Sequence, residues 1–149
     1  MIVVPLPRVL TDEQVACLRL LAAKHHGEED GHVNQSPKPH HLPEIAAQLD
    51  RAIKIGRVDP HMQVYRLAEG ESVPLHRDDD FPGPGGKTAR FSILVRLNDD
   101  YEGGHTLFDG KEGPSIPVGA GWLFSHCTPH EGRPTPRGEK LVLKTDLFV

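Results

Sequence analysis

The segment His76-Arg77-Asp78 places an imidazole and a carboxylate two residues apart. In a β-strand, residues i and i+2 point to the same face, so His76 and Asp78 would project together. One histidine and one carboxylate are two of the three ligands in the two-histidine, one-carboxylate set that holds non-haem Fe(II) and leaves coordination positions open. The motif therefore predicts part of a metal site. The alternative interpretation is a surface histidine beside an acidic turn.

Two neighbouring carboxylates compete with Asp78 for this role. Asp79 would face away from His76 in a strand, and Asp80 would lie past the end of the strand. Strand parity therefore favours Asp78 as the ligand.

Two later segments supply the remaining chemistry. Residues 124–134 contain two candidates for the third ligand, His126 and His130. Residues 138–146 place Lys140 in an otherwise apolar strand. A half-buried lysine is costly unless it has an anionic partner, and a dicarboxylate co-substrate would be such a partner. A surface strand with its lysines in solvent is the alternative.

Two helices are predicted in the first part of the chain. Thr11 and Gln14 form a capping box, and apolar residues follow at helical spacing, which predicts a helix to about Lys24. Pro43 suits the first position of a second helix, and Gly56 suits its end. The predicted buried face of the second helix comprises Ile45, Leu49, Ala52 and Ile53.

The rest of the chain is typical of a β-rich protein. Residues 25–42 are polar and rich in histidine, glycine and proline, and they predict a loop. Short apolar or alternating runs separated by turn residues then predict strands at 62–67, 72–78, 91–97, 106–108, 116–118, 122–125 and 140–148. Many short strands favour a β-sandwich or barrel. We expect one domain over 1–149, with a helical part over about 1–56 and a β-core over about 57–149.

Composition excludes several classes of protein. The 149 residues fit one domain, and the net charge of −4 argues against a nucleic-acid or anionic-membrane partner. No apolar run approaches the ~20 residues of a membrane span, and no signal peptide is evident. Cys17 and Cys127 are too few for a disulfide scaffold, which favours a reduced, cytoplasmic setting.

The ordered motifs between Tyr65 and Thr145 resemble the prolyl 4-hydroxylase-like branch of the 2-oxoglutarate- and Fe(II)-dependent oxygenases. The similarity runs through residues 65–70, His76-Arg77-Asp78, 97–108, 119–124, 130–134 and 138–140. It covers over half of the chain, and the ordered set is much more specific than any one motif. The fold that this resemblance implies is a double-stranded β-helix, a jelly-roll barrel of the cupin type, with two supporting N-terminal helices.

The resemblance also implies which residues form the site. Iron would be held by His76, Asp78 and His130. The distal ligand of the family lies in an H-x-G-x-P context, which selects His130 over His126. The family places a basic residue about ten positions after that histidine, and this position is Lys140. Lys140 would then pair with the far carboxylate of 2-oxoglutarate.

Other pocket positions follow the family less closely. Tyr65 and Thr106 are similar to positions that hydrogen-bond the co-substrate or line its pocket. The sequence departs from the family pattern at three positions, Val73, Arg96 and His105, where tyrosine, tyrosine and glutamate are common. These departures affect the pocket and the substrate rather than the ligands. Residues 79–88 follow the metal motif and are expected to form either a lid or a connection between strands.

The implied activity is hydroxylation of an unactivated C–H bond, with succinate and CO2 as co-products. It would require Fe(II), 2-oxoglutarate and O2, with ascorbate as an accessory reductant. The substrate would be a small molecule, an amino acid or a peptide. A cupin-like metal enzyme that does not use 2-oxoglutarate is one alternative, and it would need no partner for Lys140. A non-catalytic binding module on the same fold is the other, and it would be expected to lack a ligand.

Overall fold

The structure is a computed structural model that describes residues 2–24 and 37–149. Within these ranges it has two α-helices, α1 (Asp12–Leu20) and α2 (Pro43–Ile53). The strands in the same ranges are β1 (Val3–Leu6), β2 (Ala23–Lys24), β3 (His40–His41), β4 (Arg57–Val58), β5 (His61–Leu67), β6 (Val73–His76), β7 (Phe81–Pro82), β8 (Thr88–Arg96), β9 (Thr106–Phe108), β10 (Lys111–Glu112), β11 (Gly121–Ser125), β12 (His130–Gly132) and β13 (Lys140–Phe148). No helix in the described part of the chain is long and apolar enough to cross a membrane.

Helix α1 begins where the sequence predicts and ends earlier. The Gln14 backbone N–H donates to Thr11 Oγ1 at 3.2 Å, and the Thr11 N–H donates to the Gln14 side chain at 2.9 Å. The predicted capping box is therefore confirmed. The prediction that the helix reaches Lys24 is wrong, because Ala23–Lys24 pair in parallel with β5 as strand β2. Tertiary strand pairing here overrides local helix propensity.

Helix α2 begins at the predicted Pro43 and ends before Gly56. The chain turns at Lys54, which adopts φ of +63° and donates its backbone N–H to the Asp50 carbonyl. Gly56 serves a different purpose, because a Cβ at this position would lie 2.3 Å from the Phe148 backbone oxygen. The buried residues of α2 are Ile45, Ala46 and Leu49, whereas Ala52 is exposed, contrary to the prediction.

Two sheets form the double-stranded β-helix that the family resemblance implies. The larger sheet has the order β1-β11-β8-β13-β5-β2, with β3, β4 and β7 attached, and the smaller has the order β10-β9-β12-β6. The predicted strand at 116–118 is wrong, because these residues form an irregular segment in which Ile116 is buried. The sequence reasoning missed β1, β3, β4, β7, β10 and β12, which are two to four residues long. The predicted loop over 25–42 is therefore wrong at β3, and its residues 25–36 lie outside the described residues.

The alternation of side chains along the larger sheet separates the core from the interior of the barrel. One face packs against α1 and α2 in a cluster of buried apolar residues, which includes Val64, Val95 and Leu143. The intervening residues of the same strands face the other way and line a cavity, as Leu94 and Val142 do. The strands that hold the apolar core together therefore also carry the side chains of the candidate site.

Candidate metal centre

Strand pairing brings the three predicted ligands together. His76 is the last residue of β6 and His130 the first residue of β12, and the two are directly paired across these antiparallel strands. Asp78 follows His76 by two residues, and its backbone N–H donates to the His126 carbonyl at 3.1 Å. One ligand atom from each of the three side chains lies within 4.8 Å of the other two. We call His76, Asp78 and His130 the metal-site cluster.

Backbone carbonyls orient both histidines. The Nδ1 atom of His76 lies 2.8 Å from the Pro74 carbonyl oxygen, and that of His130 lies 3.0 Å from the Thr128 carbonyl oxygen. A carbonyl only accepts hydrogen bonds, so the neutral histidines carry their proton on Nδ1 and keep the Nε2 lone pair available. The two Nε2 atoms face the Asp78 carboxylate at 3.4 and 3.7 Å. Contacts of this kind fix the tautomer of metal-binding histidines in proteins.

Asp78 is a carboxylate that its neighbours keep ionised. Burial would raise its pKa, but hydrogen bonding with His76, the nearby Lys144 and a hydrogen bond from Ser92 outweigh that effect. The pKa of Asp78 therefore lies well below its usual range. Ser92 Oγ donates to Asp78 Oδ2 at 2.5 Å, and Lys144 Nζ lies 4.0 Å from the same oxygen.

The pKa values of the two histidines are shifted in opposite directions. Burial lowers the pKa of His130, which favours the neutral imidazole that metals bind. The hydrogen bond with Asp78 raises the pKa of His76, although burial opposes this effect. The site thus offers two imidazole nitrogens and one carboxylate, all converging on one region.

A cavity of about 390 Å³ is lined by the metal-site cluster and by Lys140. Lys140 is 6% exposed, and its Nζ donates to the Gly104 carbonyl at 2.6 Å and to Thr106 Oγ1 at 3.0 Å. No carboxylate of the described residues lies within 4 Å of it. Burial, together with the charge of Arg96, lowers the pKa of Lys140 to about 8. The cavity therefore contains a buried cation whose hydrogen-bond partners are neutral.

The other predicted pocket residues divide between this cavity and its surroundings. Tyr65 and Thr106 both line it, as does Val73, where the family commonly has tyrosine. None of residues 79–88 lines it, and Phe81–Pro82 instead pair with β8 as a hairpin. Among the described residues, the geometry therefore favours a connection over a lid for this segment.

His126, the competing candidate, does not belong to the metal-site cluster. It is 2% exposed, and its Nδ1 and Nε2 atoms lie 3.0 Å from carboxylate oxygens of Asp80 and Asp146 respectively. We call Asp80, His126 and Asp146 the His126 cluster. The competing carboxylate Asp80 thus belongs to this second cluster, and Asp79 is exposed.

The sequence reasoning did not place two residues, Lys144 and Ser92, at the site. Lys144 lines the cavity, and its charged form is favoured because Asp146 and Asp78 outweigh the effect of burial and raise its pKa. The alternation of side chains along β13 places Lys144 on the face of Lys140, so this signal could have found it. Ser92 was not detectable in this way, because its contact with Asp78 depends on how two separate segments pack.

Sequence comparison and structural comparison give different results. No protein-family model matches the sequence, and no curated protein matches it significantly. A viral collagen prolyl hydroxylase from Paramecium bursaria Chlorella virus-1, solved with 2-oxoglutarate, is 18% identical with a TM-score of 0.69, covering 99% of this chain and 95% of that one. A Pseudomonas putida prolyl-4-hydroxylase is 18% identical with a TM-score of 0.63, covering 98% and 91%.

A third solved structure is a non-haem α-ketoglutarate-dependent carbocyclase from nogalamycin biosynthesis. It is 12% identical with a TM-score of 0.64, covering 98% of this chain and 79% of that one. The chain has the fold of the 2-oxoglutarate- and Fe(II)-dependent oxygenases. The fold that the resemblance implied is thereby confirmed, while these identities leave the substrate to be argued from the site.

Proposed function

We propose that this protein is an Fe(II)- and 2-oxoglutarate-dependent dioxygenase that hydroxylates an unactivated C–H bond. The observation that carries the proposal is one cavity lined both by the metal-site cluster and by Lys140, a buried cation with no carboxylate of the described residues within 4 Å. We include the whole chain, 1–149, in one catalytic domain.

The residues present fit the proposed metal. Two imidazole nitrogens and one carboxylate form the ligand set of non-haem Fe(II) oxygenases, which leaves positions for the co-substrate and O2. His76 and His130 each have Nδ1 engaged by a carbonyl, so that Nε2 is the atom available for iron. Asp78 supplies a negative charge that its surroundings keep ionised. In this proposal, these three residues hold Fe(II).

Fe(II) with 2-oxoglutarate supplies the oxidation of a C–H bond by O2, giving succinate, CO2 and a hydroxylated product. The chain itself binds and orients the reactants. Ser92 and Lys144 hold the Asp78 carboxylate in place through its Oδ2 atom. The apolar walls of the cavity, such as Leu94 and Val142, exclude water from the reacting groups. Ascorbate would act as an accessory reductant that maintains iron as Fe(II).

Lys140 binds the far carboxylate of 2-oxoglutarate in this proposal. A carboxylate would supply the counter-charge that the neutral Gly104 and Thr106 oxygens do not, and charge-assisted hydrogen bonds are about twice as strong as neutral ones. Thr106 and Tyr65 line the same cavity and are placed to contact the bound dicarboxylate. The cupin-like alternative, which uses no dicarboxylate, gives no reason for a buried lysine here.

The substrate class is a small molecule, an amino acid or a peptide. Two of the similar structures are named as prolyl hydroxylases and one as a carbocyclase, so proteins with this fold oxidise different substrates. Val73, in place of the common tyrosine, lines the cavity and leaves room next to Pro74 and His76. A proline-containing peptide is therefore one member of the class to be screened.

The test is conversion of 2-oxoglutarate to succinate by the purified protein under air, with and without Fe(II). We expect slow succinate formation without any added substrate and faster formation with a true substrate, in both cases only with iron. Anaerobic addition of Fe(II) and 2-oxoglutarate should produce the visible absorption band of their complex. Metal binding with neither band nor succinate would favour the cupin-like alternative, and absence of metal binding would favour a binding module.

A further inference from the structure

A second pair of histidines lies outside the metal-site cluster, where β3 pairs with β5. His41 of β3 and His61 of β5 are direct antiparallel partners. The Leu42 backbone N–H donates to the Pro60 carbonyl at 2.7 Å, so His41 and His61 form a non-hydrogen-bonded pair, the type in which side chains lie closest together. The two imidazole rings stack, with their centres 5.0 Å apart and their planes 28° apart. We call His41 and His61 the surface histidine pair.

Asp59 fixes the orientation of one of these rings. Its Oδ1 atom lies 3.1 Å from His61 Nδ1 and accepts the His61 backbone N–H at 2.9 Å. The Asp59 backbone is itself anchored to β13, because its N–H donates to the Asp146 carbonyl and its carbonyl accepts from Thr145 Oγ1. A carboxylate only accepts hydrogen bonds, so neutral His61 carries its proton on Nδ1 and keeps the Nε2 lone pair available.

The surface histidine pair is open to a ligand from solvent. The His61 side chain is 61% exposed, and His41 is exposed as well. The Asp59 side chain behind them is 13% exposed. An ion can therefore reach both rings from solvent, while the carboxylate that orients His61 stays shielded.

We propose that His41 and His61 bind one transition-metal ion through their Nε2 atoms, with Asp59 as the residue that positions His61. A carboxylate at the far nitrogen of a metal-binding histidine fixes its tautomer and raises its basicity. Imidazole suits Zn(II), Cu(II) and Ni(II), and water would complete the coordination. Two nitrogens on one tetrahedral zinc ion lie about 3.3 Å apart, which rotation of two exposed, stacked rings can reach.

This site shares no ligand with the metal-site cluster and does not depend on the proposed reaction. His61 lies four residues before Tyr65 on the same face of β5, roughly 13 Å along the strand, and does not line the metal-site cavity. A bound ion would link β3, which is only two residues long, to β5 directly before α2. Because the ion would bind the paired strands of the folded protein, it should stabilise this part of the fold.

The experiment is calorimetric titration of the full chain with Zn(II) in the double variant His76→Ala/Asp78→Ala, which disables the metal-site cluster. We expect this variant to bind Zn(II) saturably and to lose that binding when either His41→Asn or His61→Asn is added. Mg(II), which prefers oxygen ligands, is the negative probe and should not bind. Circular dichroism establishes that each variant is folded.

Two further variants of the same background test the role of the carboxylate. Asp59→Asn removes the charge behind His61, and we expect it to weaken Zn(II) binding about tenfold, near the lower end for contacts that orient metal ligands. His105→Asn is the matched control, because His105 is also exposed and lies 3.5 Å from a carboxylate, that of Glu112, but lies outside the strands. It should bind Zn(II) as its parent does.

Absence of saturable Zn(II) binding by the folded double variant would overturn the proposal, as would binding that survives in both His41→Asn and His61→Asn. If the double variant does not fold, the wild type decides. We then expect the wild type to bind one more Zn(II) per chain than His61→Asn does, and equal stoichiometry would overturn the proposal. This comparison counts only the second ion, so its failure is distinct from failure of the metal-site cluster to bind iron.

Discussion

The metal-site cluster and the His126 cluster lie side by side, yet their hydrogen bonding differs. His126 has a carboxylate oxygen 3.0 Å from each ring nitrogen, so both nitrogens are satisfied within the protein. His76 and His130 each hold Nδ1 against a backbone carbonyl, and their Nε2 atoms both lie farther away, at 3.4 and 3.7 Å, from the one carboxylate of Asp78. A polar cluster with short contacts at every atom rigidifies a fold, whereas side chains that converge on one point at longer distances suit a ligand between them.

The largest expected effect concerns which carboxylate carries the metal. We expect Asp78→Ala to weaken Fe(II) or Co(II) binding more than a hundredfold, because loss of even an outer contact to a metal ligand costs about 10–100-fold. Asp80→Ala removes a carboxylate two residues away that belongs to the His126 cluster. It should bind metal nearly as the wild type does in a direct titration. Equal losses in the two variants would show that the clusters are not functionally distinct.

The second effect concerns stability, and here the His126 cluster should matter more than the metal-site cluster. His126→Gln removes the partner that Asp80 and Asp146 share, while Arg90 and Lys144 remain beside these carboxylates. Loss of a hydrogen bond to a charged group costs about 1.5–3 kcal/mol of unfolding free energy. His130→Gln should lower stability less in metal-free protein, because His130 makes no hydrogen bond to a carboxylate. Urea denaturation of both variants measures the difference. Loss of metal binding by folded His126→Gln would contradict the division of roles.

Much of this division could be predicted from the sequence, and the rest depended on tertiary pairing. Strand parity separated Asp78 from Asp79, because alternation is a local property of a strand. Asp80 was set aside because it would lie past the predicted strand end, although β6 itself ends at His76. The residues themselves left His126 and His130 equivalent, and only the family resemblance distinguished them. The structure separates them because His130 pairs with His76 across β12 and β6.

The errors in the predicted secondary structure also arise from tertiary contacts. Strand β12 has the sequence His-Glu-Gly, which carries no apolar alternation, and β1 contains Pro5, which weakens any strand prediction. Residues 116–118 are apolar enough to predict a strand, but Ile116 is buried in an irregular segment. Its backbone carbonyl accepts a hydrogen bond from the Arg96 side chain. In each case a long-range partner decided the conformation.

The third effect separates metal binding from co-substrate binding within the metal-site cavity. We expect Lys140→Met to raise the KM for 2-oxoglutarate about 10–100-fold, because hydrogen bonds to charged groups contribute about 1.5–3 kcal/mol. Metal affinity should stay unchanged, since Lys140 contacts no metal ligand. Succinate assays over a range of 2-oxoglutarate concentrations give the KM, and metal titration is the control. An unchanged KM would indicate that Lys144 or an arginine binds the far carboxylate of 2-oxoglutarate instead.

The fourth effect is a pH dependence that follows from the same lysine. The pKa of Lys140 in the folded protein is about 8, below its ordinary value of 10.5. Below pH 8 the folded protein bears the cost of a buried cation, and this cost disappears as the pH rises from about 8 to 10.5. Lys140 therefore makes the unfolding free energy rise with pH across that window, and Lys140→Met should remove this rise in denaturation measurements.

Binding of a dicarboxylate should change in the opposite direction across the same window. A carboxylate is attracted to the protonated lysine, so succinate affinity should be nearly constant below pH 8 and fall up to about tenfold per pH unit above it. Calorimetric titration of metal-free protein with succinate measures this, and Lys140→Met supplies the control with no such slope. Flat affinity between pH 8 and 10 in the wild type would show that Lys140 does not contact the anion.

The smallest effect concerns Ser92, which joins the larger sheet to the metal-site cluster. Its hydroxyl donates to Asp78 Oδ2 at 2.5 Å, the same oxygen that lies 4.0 Å from Lys144. We expect Ser92→Ala to weaken Co(II) binding by about tenfold, near the lower end for contacts that orient metal ligands. Ser125→Ala, on the neighbouring strand and without contact to the cluster, is the control. Because Lys144 remains, Asp78 should stay ionised in Ser92→Ala, so the loss reflects orientation of the carboxylate. A loss as large as that of Asp78→Ala would instead mean that Ser92 maintains the cluster itself.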